Sequence, residues 1–275
     1  MKNMLKKYTL NNKKPIKLNQ FEPEDTGKLN KDEVHEKSMQ LQERLQEYQE
    51  KLFAGKKNAV LILFQGMDCS GKDGVIKNVL SNLNPQGFRA ESFKRPTEEE
   101  LAHDFLWRTH KVMPQKGYIT AFNRSYYEDV LVTRVHNSIT DQEAAKRLKH
   151  IQHFEKLQAD NGVLVIKIFL HISEKFQMEK LTERIADPEK HWKFDPNDLE
   201  ERKHWEQYIK AYEDVFAQTG KKSSPWYIVP ADERWFRDYL VLKIIVTALE
   251  QLNLEYPKID LDLSGFSRGS ATPSL

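Results

Sequence analysis

The run Leu61-Ile62-Leu63-Phe64-Gln65-Gly66-Met67-Asp68-Cys69-Ser70-Gly71-Lys72-Asp73-Gly74 constrains this chain more than any other feature. An unbroken apolar stretch, Ala59 to Phe64, leads into a Gly-x-x-x-x-Gly-Lys pattern, and a helical pattern follows to about Leu83. Strand, glycine turn and helix in that order predict a phosphate loop. Gly66, Gly71 and Gly74 let the backbone amides of the turn, including those of Met67, Cys69 and Ser70, close around phosphate oxygens. The helix N-terminus adds its positive end, and Lys72 adds a point charge.

Two carboxylates depart from the usual pattern. Asp73 stands where a Ser or Thr would hold Mg²⁺, and Asp68 lies inside the turn. Carboxylates facing a phosphate repel it unless a hard cation lies between them. Asp68 is therefore read as a metal ligand. Asp73 has two open readings, a second group at the site or a cap on the helix N-terminus. Cys69, the single cysteine, excludes an internal disulfide and is read as a small filler rather than a reactive thiol.

Around this loop, strands and helices alternate. Strand patterns cover residues 58–65, 87–93, 117–122, 163–172 and 226–229; helical ones fill the gaps, with capping signals at Thr97/Glu100 and Thr140/Glu143. Strands apolar on both faces and separated by helices imply a five-stranded parallel sheet covered on both sides, an α/β fold. A helix over residues 31–53 precedes it, with a stripe of Val34, Leu41, Leu45, Tyr48 and Leu52. That stripe packs on its own domain or, in a sharper reading, on a second subunit. The polar stretch 185–203, with Pro188 and Pro196, reads as a mobile lid.

Composition narrows the class. With 39% hydrophobic and 31% charged residues, 14 Phe, 10 Tyr and 5 Trp, the chain has material for a core and is not mainly disordered. Its longest apolar run is far short of the roughly 20 residues of a membrane span, and its opening lacks an apolar signal segment, so a cytoplasmic enzyme without membrane partners is expected. Residues 1–20 carry six lysines and no acid. Residues 1–28 are read as a flexible basic arm, 29–256 as one domain and 257–275 as a flexible tail.

A second constellation follows the third strand: Tyr118-Ile119-Thr120-Ala121-Phe122-Asn123-Arg124-Ser125-Tyr126-Tyr127-Glu128-Asp129. In a parallel sheet it emerges at the same edge as the phosphate loop. Arg124 is then placed to neutralise a transferring phosphoryl group. Glu128 either completes a capping box with Ser125 or faces the metal or acceptor; both can hold together. Further basic residues are expected around the cleft: Lys94, Arg95, Arg134, and, on one face of the lid, Arg184, Lys190 and Lys193. The absence of an Asn-Lys-x-Asp run late in the chain argues against a GTPase. A lid suits a kinase, because it keeps water from the phosphoryl group.

Gly66-Met67-Asp68-x-x-Gly71-Lys72-Asp73-Gly74, Phe122 to Leu131, Ser224-Pro225-Trp226-Tyr227 and Asp232-x-x-Trp235 together resemble the polyphosphate kinase type 2 family. The resemblance implies a three-layer P-loop kinase-like fold with a helical lid. It implies transfer of the terminal phosphoryl group of inorganic polyphosphate to nucleotides (AMP to ADP, ADP to ATP), with Mg²⁺ as cofactor and Mn²⁺ as a substitute. It further implies a homodimer or homotetramer, with no nucleic acid partner. Carried over by position, Lys72 and the loop amides bind phosphate, Asp68 helps hold Mg²⁺, Arg124 flanks the transferring group, and Arg184 and Lys193 close over it. Many members have Asp at the position of Asn123, which leaves Glu128 to take over part of that role. The Asn-Arg-Ser-Tyr-Tyr-Glu-Asp variant resembles the subgroup acting on both mono- and diphosphates. Two other readings stand beside this one: an ATP-dependent kinase of a small molecule, and a polyanion-binding module without turnover, against which the intact Lys72 argues.

Overall fold

A computed structural model describes residues 2–11 and 15–258. The chain begins with α1 (Lys2–Lys7) and β1 (Thr9–Leu10), then runs through α2 (Lys31–Gly55), β2 (Ala59–Gly66), α3 (Lys72–Leu80) and β3 (Phe88–Ser92). It continues with α4 (Glu98–Leu101), α5 (Trp107–His110), β4 (Ile119–Asn123), α6 (Glu128–Val135), α7 (Asp141–Asp160), β5 (Val163–His171) and α8 (Glu174–Ala186). After a 3₁₀ turn at Pro188–Lys193 come α9 (Asn197–Arg202), α10 (Trp205–Thr219), β6 (Trp226–Pro230) and α11 (Arg234–Glu250).

The strands form one sheet in the order β1-β6-β5-β2-β4-β3. All eight residues of β2 are buried, as expected of a central parallel strand covered on both faces. It pairs in parallel with β4 (Phe64 beside Asn123) and with β5 (Phe64 beside Ile168). Helices α2, α3 and α11 pack together on one side, and α6, α7 and α10 on the other. The result is the expected three-layer α/β fold, with the loops after β2 and β4 leaving adjacent strands at one edge of the sheet. The α2 stripe (Val34, Leu41, Leu45, Leu52) is buried within the chain, on the side where α2 meets α11.

The N-terminal arm corrects the expectation of a flexible segment. Thr9 and Leu10 add a sixth, antiparallel strand opposite Tyr227 and Trp226, making the sheet mixed. Leu5, Tyr8, Leu10 and Leu18 are buried, Tyr8 to 1% exposure. Two of the lysines find acidic partners: Lys7 on Asp25 at 2.5 Å and Lys17 on Glu213 at 2.8 Å. Spaced apolar residues outweigh the net charge here, because each buried side chain contributes about 1.5–3 kcal/mol while the charges stay at the surface. The tail expected at 257–275 lies, beyond residue 258, outside the described residues.

Capping divides the same way. Thr97 and Glu100 form the full reciprocal box of α4, and Thr140 accepts from the Glu143 amide at the start of α7. The box expected from Ser125 and Glu128 is not formed: Ser125 Oγ accepts from Gln65 Nε2 at 3.0 Å and from the Tyr127 amide at 3.2 Å. Helix α6 starts only at Glu128, with no side-chain cap, which leaves the Glu128 carboxylate free for the cleft.

Candidate active site

The turn between β2 and α3 is shaped by its glycines. Gly66 has φ +152°, and a Cβ there would lie 2.7 Å from Leu170 O and from Ser70 Oγ. Gly71 has φ +87°, and a Cβ there would come within 2.2 Å of Arg237 Nη1. Neither position admits a side chain. Helix α3 has no side-chain cap, so its first amides remain available to an anion.

Charge gathers at this turn. Lys72 is buried and donates to the Gly66 and Met67 carbonyls at 2.8 and 3.1 Å. Burial, then the neighbouring Arg124, holds its pKa below the ordinary lysine value. Arg124, in the left-handed region at φ 62°, points one arm at Asp68 Oδ1 (2.7 Å) and the other at Glu128 Oε2 (3.8 Å). Burial works against its charge, but Glu128 and Asp68 more than offset this and raise its pKa. Burial pushes the Glu128 carboxyl above its usual range, with Arg124 and Lys72 pulling the other way. One cation between two carboxylates at the foot of a phosphate loop is the core of the site.

The remaining loop residues resolve the open readings. Asp73 does not cap α3; its carboxylate accepts from Asn123 Nδ2, joining the ends of the two sequence constellations. The Cys69 thiol is pushed up to about 11 by burial, so it stays protonated and behaves as a filler.

Above the turn lies a cleft of about 1090 Å³, lined by Gly66, Met67, Asp68, Lys94, Arg95, Arg124 and Glu128 among others. Arg134 does not line it. Six residues beyond Glu128 is about 240° round the helix, and the guanidinium pairs instead with Asp141 (2.7 Å) and Asp214 (2.6 Å). The lid also differs from the expectation of a basic inner face. The lid residues on the cleft are Asp195, Asn197, Asp198 and Glu201. Arg184 is held by Asp198 and the Lys193 carbonyl, both at 3.1 Å; Lys190 pairs with Asp187 at 2.7 Å; Lys193 lies exposed over the Trp192 ring. Arg184 and Lys190 are each matched by an acid of the lid itself, which net charge alone does not reveal.

Three residues at the site have no local signature. Arg237, 2% exposed, lies beneath Gly71 and pairs with Asp238. A charged residue among the buried apolar residues of α11 was the available signal. Arg108 is buried, bonded to Asp129 (2.8 Å) and to the Lys94 carbonyl (2.9 Å), and so fixes the segment after β3. Gln177 on α8 donates to the Asp68 carbonyl at 3.0 Å.

The family model for polyphosphate kinase 2 matches residues 28–257, a span that takes in the loop, the Arg124–Glu128 turn, the lid and β6. The chain belongs to the polyphosphate kinase 2 family. Among proteins of related sequence, the AMP/ADP-polyphosphate phosphotransferase of Meiothermus ruber is 44% identical over 92% of this chain and 96% of its own. The ADP-polyphosphate phosphotransferase of Rhodopseudomonas palustris is 44% identical over 83% of each chain. Among solved structures, the crystal structure of polyphosphate kinase 2 from Arthrobacter aurescens superposes with a TM-score of 0.90 at 37% identity, covering 93% of both chains.

Proposed function

We propose that this polyphosphate kinase 2 transfers the terminal phosphoryl group of inorganic polyphosphate to AMP and to ADP in a Mg²⁺-dependent reaction. The observation that carries the reading is the Asp68–Arg124–Glu128 arrangement at the foot of the phosphate loop. It is supported by the 44% identity, nearly end to end, with a relative named for both acceptors.

Phosphoryl transfer needs positioning and charge neutralisation more than covalent chemistry. Lys72, bonded to two loop carbonyls, exchanges those contacts for phosphate oxygens when substrate enters. Arg124 neutralises the transferring group, and the loop amides hold the adjacent phosphate. Asp68 and Glu128 suit Mg²⁺. No group of three or more potential ligands occurs among the described residues, and Mg²⁺ commonly takes one or two carboxylates and completes its shell with water and substrate phosphates. Bound there, the ion would offset the repulsion between those carboxylates and the incoming phosphates. The lid's role is to keep water from competing with the nucleotide. Binding of a base-free polyanion should weaken steeply with salt.

No helix among the described residues is long and apolar enough to cross a membrane. A homodimer or homotetramer is the expected assembly, with an interface other than the α2 stripe, which is buried within the chain. The experiment is incubation of the pure protein with Mg²⁺, long-chain polyphosphate and AMP. ADP and ATP should appear, and absence of product with either AMP or ADP rules the reading out.

A further inference from the structure

Among the described residues, one side chain is hydrogen-bonded both to the phosphate loop and to the lid. Gln177 lies on α8 at 2% exposure. Its Nε2 donates to the Asp68 carbonyl at 3.0 Å, and its Oε1 accepts from Arg202 Nη1 at 2.7 Å. The orientation of the amide is fixed by its partners: a carbonyl only accepts and a guanidinium only donates, so a flipped amide would oppose like groups at both ends. Asp68 is the loop carboxylate paired with Arg124. Arg202 is the last residue of α9, the lid helix, and its guanidinium also reaches the Glu174 carbonyl at 3.0 Å. Three other contacts hold α9: Asp198 with Arg184 at 3.1 Å, and Glu201 with Tyr208 Oη at 2.8 Å and with His136 at 3.0 Å. None of the three touches the loop.

We propose that Gln177 is a positioning residue that couples the phosphate loop to lid closure, so that the loop holds Asp68 in place only while the lid shuts out water. This rests on the phosphotransferase reading above. Its consequence is a partition between two acceptors. With the coupling intact, the nucleotide phosphate oxygen attacks the terminal phosphorus. With it broken, water competes: the terminal P–O–P bridge breaks, a P–O bond to the water oxygen forms, the water proton passes to solvent, and orthophosphate and a shortened chain leave. Glutamate at this position still accepts from Arg202 but sets an acceptor against the Asp68 carbonyl. Methionine fills the space and loses both bonds.

The test compares wild type with Gln177→Met, Gln177→Glu and Arg202→Met, each with its melting temperature. Two quantities are read: orthophosphate released per nucleotide phosphorylated, and the rate of tryptic cleavage after the exposed Lys190 and Lys193 without substrate. Both should rise in Gln177→Met and Arg202→Met, the first by about tenfold or more. The effects of Gln177→Met and Arg202→Met should combine to much less than their sum in the double variant, because both remove the Gln177–Arg202 link. Gln177→Glu should keep slow cleavage while raising orthophosphate release. A purely structural glutamine would lower the melting temperature and leave the partition unchanged. An unchanged partition, unchanged cleavage, or additive single effects overturns the proposal. If Gln177→Met fails to fold, Arg202→Met and Gln177→Glu carry the same comparison. The cleavage readout needs no turnover, and the wild type measured alongside separates failure of this coupling from failure of the polyphosphate reading.

Discussion

Asp68 Oδ1 and Arg124 Nη2 meet at 2.7 Å across the mouth of the phosphate loop. Glu128 stands 3.8 Å from the other arm of the same guanidinium, so one planar cation addresses two carboxylates at once. Lysine cannot span both with a single ammonium. Arg124→Lys should therefore lower kcat by about 100-fold, a loss of roughly 2–3 kcal/mol in transition-state stabilisation, while the melting temperature hardly moves. Steady-state kinetics beside thermal unfolding check this; near-normal kcat in a folded variant contradicts it.

Glu128 links activity and stability to pH. Its folded-state pKa lies above the unfolded value because it is buried in the cleft wall, so keeping it ionised costs stability. That cost is absent below the unfolded pKa and complete above the folded one. Glu128→Gln should accordingly raise the melting temperature at neutral pH, with the gain vanishing as pH falls through the carboxylate range. In wild type the acid limb of kcat/KM should lie above the ordinary carboxylate range, since it is the ionised form that pairs with Arg124 and that the proposed metal role requires. Glu128→Gln should lose most activity at every pH.

Lys72 separates the site from the fold. Its ammonium is buried and depressed in pKa, so ionisation there costs stability, and Lys72→Met should fold with an equal or higher melting temperature. Transfer should nonetheless fall at least about 1,000-fold, because Lys72 is the cation seated on the Gly66 and Met67 carbonyls, whereas Arg124 is already engaged by Asp68 and Glu128. A folded Lys72→Met variant with substantial activity would misplace the active site.

Beneath the Arg124–Glu128 turn lies a second buried ion pair. Lys167 Nζ and Glu155 Oε2 are 2.7 Å apart at 0% and 4% side-chain exposure, and the Tyr126 and Tyr127 hydroxyls donate to Glu155 Oε1 at 3.1 and 2.7 Å. Removing one partner leaves an uncompensated buried charge. Glu155→Ala should cost about 3–5 kcal/mol in urea unfolding, while replacing both members by methionine should recover much of that. Equal losses in the two variants would show that the pair's charge is not what matters.

The sheet was legible because β2 and β5 are apolar on both faces, a pattern that needs only neighbours in sequence. The convergence of Asp68, Lys72, Arg124 and Glu128 followed from topology, since parallel strands deliver their following loops to one edge. Contacts between distant segments were not legible. Gln65 on β2 takes the Ser125 hydroxyl and cancels a locally sound capping box. Asp141 and Asp214 take Arg134 out of the cleft. Tyr8 is buried beneath an arm whose lysines dominate its composition, and Arg237 reaches Gly71 across 166 positions of chain.

Polyphosphate as donor to both AMP and ADP is the centre of this account, and a donor-exchange assay addresses it most directly. With Mg²⁺ present, AMP and long-chain polyphosphate should give ADP first and ATP after it, and the yield should collapse when Mg²⁺ is chelated. Phosphorylation supported by ATP but not by polyphosphate, or no product from either nucleotide, would contradict it.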